Sequence, residues 1–355
     1  KPEVNILPRV WFSFPINTSA LFFANYDVLA QRPSNNFMTI DNYFYLETRN
    51  NQTFANPALK PRLKTNYEIG FRQVLSEQRF GKGIASIIGI TASYSEIRND
   101  INQFFFNNAY PISYISYSNI DFSTVKSFRT DFQLKKDKTL TFNANYSLLF
   151  ANGTGSNPNS SRALIQSNQP NLRTLIPLGD LDIRHSVKAN LNYDFGGGKN
   201  PRTGKSNYFG PEHLKKYLEF ASAGLIFTSL SGLPYTAKAQ PEQIGSTDRA
   251  QIKGNPFGSR LPWTSNVNLQ LSKGFGINYA KGQKQGVLYT FVIISNVLNT
   301  ENVVSVWPYT GQPNDDGFLS SPRGQQAVSN QINAESYQAL YRVINNNPGF
   351  YRGPR

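Results

Sequence analysis

The chain has no cysteine and only two histidines, one methionine and three tryptophans in 355 residues. Without cysteine there is neither a disulfide framework nor a thiolate metal site. With two histidines, His185 and His213, a histidine metal cluster is excluded, and a Ser-His-Asp triad has to use one of them. No apolar run approaches the roughly 20 residues of a membrane helix, and mean hydropathy is −0.44. That leaves strands open as membrane spans, because a barrel strand is apolar on one face only and its hydropathy signal is weak. The opening residues Lys1, Pro2, Glu3, Val4 and Asn5 precede no apolar segment of a signal peptide. We expect either that a leader was removed or that the chain begins inside a longer protein. The formal net charge is +14. Its Lys and Arg are scattered over turns and polar strand faces rather than gathered in a patch with interleaved aromatics, so we expect no nucleic-acid partner. Phosphate-rich lipid headgroups or an anionic ligand in the lumen are the simpler match.

The clearest positive signal is a hairpin over 122–150. Phe122, Thr124, Phe128, Thr130, Phe132 and Leu134 share one parity, and Ser123, Ser127, Arg129, Asp131 and Gln133 the other. On the return, Leu140, Phe142, Ala144, Tyr146, Leu148 and Phe150 alternate with Thr139, Thr141, Asn143, Asn145 and Ser147. Successive strand side chains point to opposite faces, so each arm has an oily and a watery face, joined by a charged turn at 135–138. Each arm alternates for about ten residues or more, whereas strands of soluble sheets usually run about five or six. About ten tilted residues span a bilayer.

The pattern recurs along the chain. Strands are expected at 9–16 and 19–30 around Asn17 and Thr18, then at 66–75, 84–98, 184–195, 217–230, 263–272 and 287–298. Long polar connections fall near 31–62, 152–182, 231–261 and 299–355, with a short helix possible at 335–344. A medium loop is expected to hold Phe104, Phe105 and Phe106, and 196–216 is one long connection on the tight-turn side. The fold class expected is therefore all-β, a single transmembrane antiparallel β-barrel domain over 1–355 with about ten strands. Short and long connections alternate as periplasmic turns and extracellular loops do. This puts Asn17, Gly81 and Lys136 on the periplasmic side and Asn51, Asn157 and Asp315 at the cell surface.

Several stretches carry a resemblance. They are Asn-Pro-Ala-Leu-Lys-Pro at 56–61 followed by Thr-Asn-Tyr-Glu-Ile-Gly at 65–70, Leu-Asp-Ile-Arg-His at 181–185, Ser-Gly-Leu-Pro-Tyr-Thr at 231–236, and Asn-Val-Leu-Asn-Thr at 296–300. In this order they resemble the C-terminal barrel part of TonB-dependent outer-membrane receptors, especially the large Bacteroidetes type similar to Oar-like and SusC-like transporters. The resemblance implies import across the cell outer membrane through a 22-stranded barrel, contact with the lipid bilayer and lipopolysaccharide, and coupling to the TonB complex through an N-terminal plug absent from this chain. It also implies a surface lipoprotein or other outer-membrane protein as a possible partner. The family's closing strand with its terminal aromatic is absent as well, so we read the chain as part of a longer receptor. The alternative is an outer-membrane barrel serving as a structural or secretion-complex component without import.

For chemistry, Glu68, Arg72, Arg129, Asp131, Arg184 and Lys188 share the polar face. They either solvate a wide lumen or bond to a plug, or else line a substrate path. The candidate ligand-binding residues are Arg72, Arg129, Asp131 and Arg184, together with Trp307 and Tyr309, which lie in or beside loops. The exposed Phe104, Phe105 and Phe106 belong to an interfacial girdle or contact a ligand or surface partner. The stretch 198–206 nearly spells a phosphate loop, but five residues separate its glycines where four are required, and Pro201 interrupts it. Asn314, Asp315, Asp316 and Gly317 offer either calcium ligands or a plain turn. No catalytic residue, metal ligand or cofactor is expected.

Overall fold

The computed structural model describes residues 4–39, 53–75, 83–107, 109–110, 113–155, 157–159, 174–179, 181–198, 206–245, 250–279 and 284–352. Its strands are β1 (Arg9–Asn17), β2 (Ala20–Gln31), β3 (Thr53–Phe54), β4 (Arg62–Leu75), β5 (Ile84–Phe106), β6 (Tyr114–Lys136), β7 (Leu140–Gly153), β8 (Ile176–Pro177) and β9 (His185–Asp194). They continue with β10 (Ala221–Leu230), β11 (Pro234–Tyr235), β12 (Ser259–Arg260), β13 (Thr264–Tyr279), β14 (Lys284–Ile294), β15 (Asn302–Val303) and β16 (Tyr351–Arg352). The ten long strands form one sheet in the order β1-β2-β4-β5-β6-β7-β9-β10-β13-β14. Each pairs antiparallel with its neighbours in that order. This is the expected count, and among the described residues no helix is long and apolar enough to cross a membrane.

Register sorts the residues into two faces. On one, Phe14, Phe22, Phe71, Ile90, Thr130, Tyr146, Val187 and Ser229 form a continuous cross-strand row. Above it, toward the long loops, the rings of Tyr26, Tyr67 and Tyr94 follow one another at 5.2 and 6.1 Å. Further round, the Tyr146 hydroxyl and His185 Nδ1 lie 3.0 Å apart, and His185 stacks on Trp263 at 5.6 Å. The amphipathic rings of Tyr26, Tyr67 and Tyr94, in one cross-strand row, suit a membrane interface. Ten residues separate Leu140 from Phe150 on this face of β7. At ~3.3 Å per residue and a tilt of ~45° that is about 23 Å, close to the ~25 Å apolar band of an outer-membrane barrel.

Four expectations are corrected. Phe104, Phe105 and Phe106 are not in a loop: β5 runs on to Phe106 and pairs with Tyr114–Ser116 of β6, well past the last β6–β7 pair, Ser123 with Gly153. Register shifts between Ile97, Asp100 and Ile101, with Asn99 at φ 61°, break the period of two there, so the alternation ceases to be readable while the ladder continues. β10 begins at Ala221 rather than 217, because Tyr217 belongs to the helical turn Lys215–Leu218 and Phe220 takes φ 61°. Connections do not alternate strictly: β5 and β6 are joined by a link no longer than that between β4 and β5, and the hairpin itself supplies the projection. Finally, 299–352 is a folded lobe.

That lobe holds the helices Pro322–Ser329 and Ala334–Asn345, the second matching the expected helix at 335–344. Ser321 accepts a hydrogen bond from Gly324 N at 3.1 Å and Asn333 accepts one from Ser336 N at 3.0 Å, so both helices start on a capping side chain. Val306, Phe318, Val328 and Tyr341 form its buried centre. The Asn302 side chain binds both backbone groups of Ser265, at 2.8 and 3.0 Å, and fastens the lobe to the loop-side end of β13.

Candidate functional site

The polar face carries a second continuous row. Leu21, Arg72, Gly89, Asp131, Asn145, Lys188, Thr228 and Asn266 are successive cross-strand partners. Arg129 lies one polar step nearer the loops, paired with Thr91 and Ser147. Asn145 Nδ2 donates to Asp131 Oδ1, Ser93 and Ser127 hydroxyls meet at 2.7 Å, and Ser222 and Ser272 do the same at 2.7 Å. A depression of about 240 Å³ is lined in part by Asp131, Gln133, Asn143, Asn145, Lys188 and Thr228. Arg72 and Arg129 are exposed. At the sheet's two margins this face turns apolar: Trp11 and Phe23 lie in it on one side, and Tyr289, Phe291 and Ile293 on the other.

At the loop-side rim a buried carboxylate organises three segments. Asp182 is fully buried, and its Oδ2 takes a hydrogen bond from Arg184 Nη2 at 3.1 Å and another from Arg260 Nη2. Oδ1 accepts from Ala151 N at 3.2 Å. Arg260 also donates through Nη1 to the Asp182 carbonyl at 2.8 Å, and the Arg184 guanidinium lies 4.3 Å over the Phe150 ring. Two guanidinium groups and a backbone N–H thus compensate a charge that water cannot reach.

A third region is a cleft of about 280 Å³ between 238–245 and the lobe, with Trp307 and Tyr309 among its walls. Trp307 Nε1 donates to the Asn345 carbonyl at 3.0 Å, and its ring meets Phe350 edge-on at 5.0 Å. Under this cleft the Tyr341 hydroxyl donates to Asp316 Oδ2 at 2.6 Å. Burial, and then that hydrogen bond, push the Tyr341 hydroxyl well above the ordinary tyrosine range.

The six candidate ligand-binding residues are therefore not one site. Arg72, Arg129 and Asp131 share the inner wall, Arg184 is held in the rim cluster, and Trp307 and Tyr309 face the lobe cleft. Asp182 and Arg260 were missed as a pair, since 78 residues separate them and no local pattern joins them. The Asn314–Gly317 stretch is a turn: Gly317 N donates to Asp315 Oδ1 at 2.8 Å with φ 75°, and Asp316 is spent on Tyr341, Phe318 N and Asn345. Among the described residues no three His, Cys, Asp or Glu side chains group as metal ligands. His185 sits between Tyr146 and Trp263. The near-phosphate loop, together with Gly81 and Asn51, lies largely outside the described residues.

No protein-family model and no curated protein matches the chain. Among solved structures it is similar to the outer membrane transporter YddB from Escherichia coli, with 13% identity and a TM-score of 0.54 over 83% of this chain and 37% of that one. It is also similar to the ferric-catecholate import receptor Fiu from K12 E. coli, with 13% identity and a TM-score of 0.48 over 84% and 31% of the two chains. The chain thus spans little more than a third of YddB, and the likeness to YddB shows the fold: an antiparallel wall of a transmembrane β-barrel.

Proposed function

We propose that the chain is the C-terminal part of the barrel of a TonB-dependent receptor in the cell outer membrane, which imports a substrate into the periplasm and performs no covalent chemistry. The observation that carries this reading is the pair of opposed cross-strand rows. Phe14 to Ser229 on one face suits hydrocarbon, and Arg72 to Asn266 on the other suits a water-filled lumen. In hydrocarbon an unpaired backbone group costs several kcal/mol, so the edges of β1 and β14, unpaired among the described residues, call for further strands. A barrel of 22 strands, as the resemblance implies, removes both edges and leaves room for a plug. A plug domain also accounts for the apolar inner margins, since Trp11 and Phe291 are 78% and 69% exposed on a face that otherwise suits water. The Bacteroidetes type, the link to TonB and a surface lipoprotein partner rest on the quoted sequence stretches. Arg72, Arg129 and Asp131 then line the substrate path, Arg184 braces its rim, and Trp307 and Tyr309 serve in capture.

The test is growth of a deletion strain on peptides, glycans or iron chelates as the limiting nutrient. A defect on one class, restored by the intact gene, supports import. Normal growth on all of them, with loss of a secreted or surface-anchored protein instead, favours the scaffold alternative.

A further inference from the structure

We infer that the tight-turn end of the sheet binds the headgroup of an anionic phospholipid, with Lys136, Lys215 and Lys216 supplying the counter-charge and Tyr217 the seat at the interface. The connection after β9 folds back onto the lipid face of the wall. The Tyr193 hydroxyl donates to the Phe209 carbonyl at 2.9 Å, Phe209 N donates to the Phe195 carbonyl at 2.8 Å, and a Cβ at Gly210 would come within 3.0 Å of the Phe195 ring. Tyr193 is the partner of Leu140 and shares the outward face with Leu191 and Val187, so this contact lies at the last level of the apolar band. Tyr208 is buried, its hydroxyl donating to the Pro211 carbonyl at 2.9 Å, and Lys215 Nζ lies 5.9 Å from its ring centroid. The helical turn Lys215–Leu218 is thereby braced against the strand-bound segment. From it Tyr217 stands 68% exposed, with Leu214 and Lys216 exposed as well. A ring with a polar tip beside lysines suits the boundary between acyl chains and headgroups.

Charge selects the partner. The stretches 76–83, 135–138, 196–220 and 273–285 belong to this end, and they hold 13 of the 36 Lys and Arg but only 4 of the 22 Asp and Glu. Nine of the 14 net positive charges therefore fall here, far apart in sequence and brought together by the order of the sheet. Lys136, Leu140 and Tyr193 are successive cross-strand partners on the outward face, which sets a cation at the edge of the apolar band two strands from the connection. Among the described residues, Lys136, Lys215 and Lys216 enter no ion pair. On 194–220 the carboxylates of Asp194 and Glu219 accept from Gly196 N at 2.8 Å and Gly198 N at 2.9 Å, which leaves Glu212 against the lysines. Lysine stems lie along apolar surface and carry the ammonium to headgroup phosphates. The bilayer itself supplies that anion, because this surface is continuous with the lipid-facing rows.

Placement of this end in the periplasmic leaflet rests on the receptor reading, whereas lipid binding is measured without it. The intact protein, purified in detergent, is titrated with phosphatidylglycerol, phosphatidylcholine, lipid A and inorganic phosphate, and bound molecules are counted by native mass spectrometry. Phosphatidylglycerol should bind about tenfold more tightly than phosphatidylcholine. Lys136→Gln, Lys215→Gln and Lys216→Gln combined should bring the two within about twofold, since one cation near an anionic headgroup is worth roughly fivefold. The same three lysines changed to Arg should keep the preference. Lys126→Gln, on the outward face at the other edge of the band beside Phe150, should leave it unchanged. The inference is overturned if the two phospholipids bind alike, if the triple Gln variant keeps the preference, if Lys126→Gln abolishes it, or if lipid A or inorganic phosphate competes better than phosphatidylglycerol. Failure of the receptor reading registers elsewhere, in normal growth of the deletion strain and in surface labelling of Lys136→Cys.

Discussion

Arg260 grips Asp182 twice, through the carboxylate and through the carbonyl of the same residue, although 78 positions separate the two in the chain. The contact ties β12 to the segment entering β9, and Gly232 O accepts from Arg260 Nη1 at 3.3 Å as well. Removing Asp182 leaves two guanidinium groups facing each other without their anion. We expect Asp182→Ala to cost on the order of 3 kcal/mol and to open 231–261 to protease, as a broken buried pair does. Asp182→Leu combined with Arg260→Met should recover part of the loss. Urea titration of the intact protein measures both, and an Asp182→Ala protein as stable as the parent refutes the role.

The orientation can be read with single cysteines, since the chain has none of its own. Asn17 and Lys136 lie at tight turns, whereas Asn157 and Ile332 lie on the long-loop side. On intact cells an impermeant maleimide should label Asn157→Cys and Ile332→Cys but not Asn17→Cys or Lys136→Cys. Equal labelling of Lys136→Cys and Asn157→Cys would reverse or dissolve the assignment.

The two faces predict opposite tolerance to charge. Phe132, Ala144, Ala189 and Phe227 form a row beside the middle of the apolar band, so Phe132→Arg should cost about 2–4 kcal/mol. Phe142, one step nearer the tight turn, should lose less, and Asn143→Arg should be nearly silent. A refolding titration in which Asn143→Arg and Phe132→Arg lose equally is incompatible with a lipid face and a water face.

The lobe carries a pH signature. Folding raises the Tyr341 hydroxyl above its usual value, so the fold favours the neutral phenol. Its contribution is complete below about pH 10, the unfolded value, and is lost as pH climbs beyond that toward the folded value. Protease protection of 299–352 should therefore hold steady from pH 7 to about pH 10 and decline above it. Tyr341→Phe, which leaves Asp316 short of a donor in a buried site, should weaken protection by about 1.5–3 kcal/mol below about pH 10, and the difference from the parent should shrink above it. A Tyr341→Phe protein with the parent's protection at neutral pH would contradict this.

The strands were legible because their cause is local. Lipid on one side and water on the other write a period of two into the central arms, so Phe142 and Asn143 declare their faces whatever lies across the sheet. Legibility ended where that cause did. Past Arg98 the β5–β6 ladder continues beyond the apolar band through irregular register, and Phe104 to Phe106 read as loop. In 299–352 no bilayer imposes a period, and short helices packed on Tyr341 and Phe318 left only one of the two visible beforehand. Residue types marked Arg72, Arg129 and Asp131 as lumen-facing, since charge on the polar parity has no other solvent. Only tertiary structure decided that Arg184 is held by a buried aspartate, that Arg260 reaches it from another loop, and that Trp307 and Tyr309 face Lys238 and Glu242 across a cleft, because such meetings depend on how loops pack and not on any neighbour in the chain.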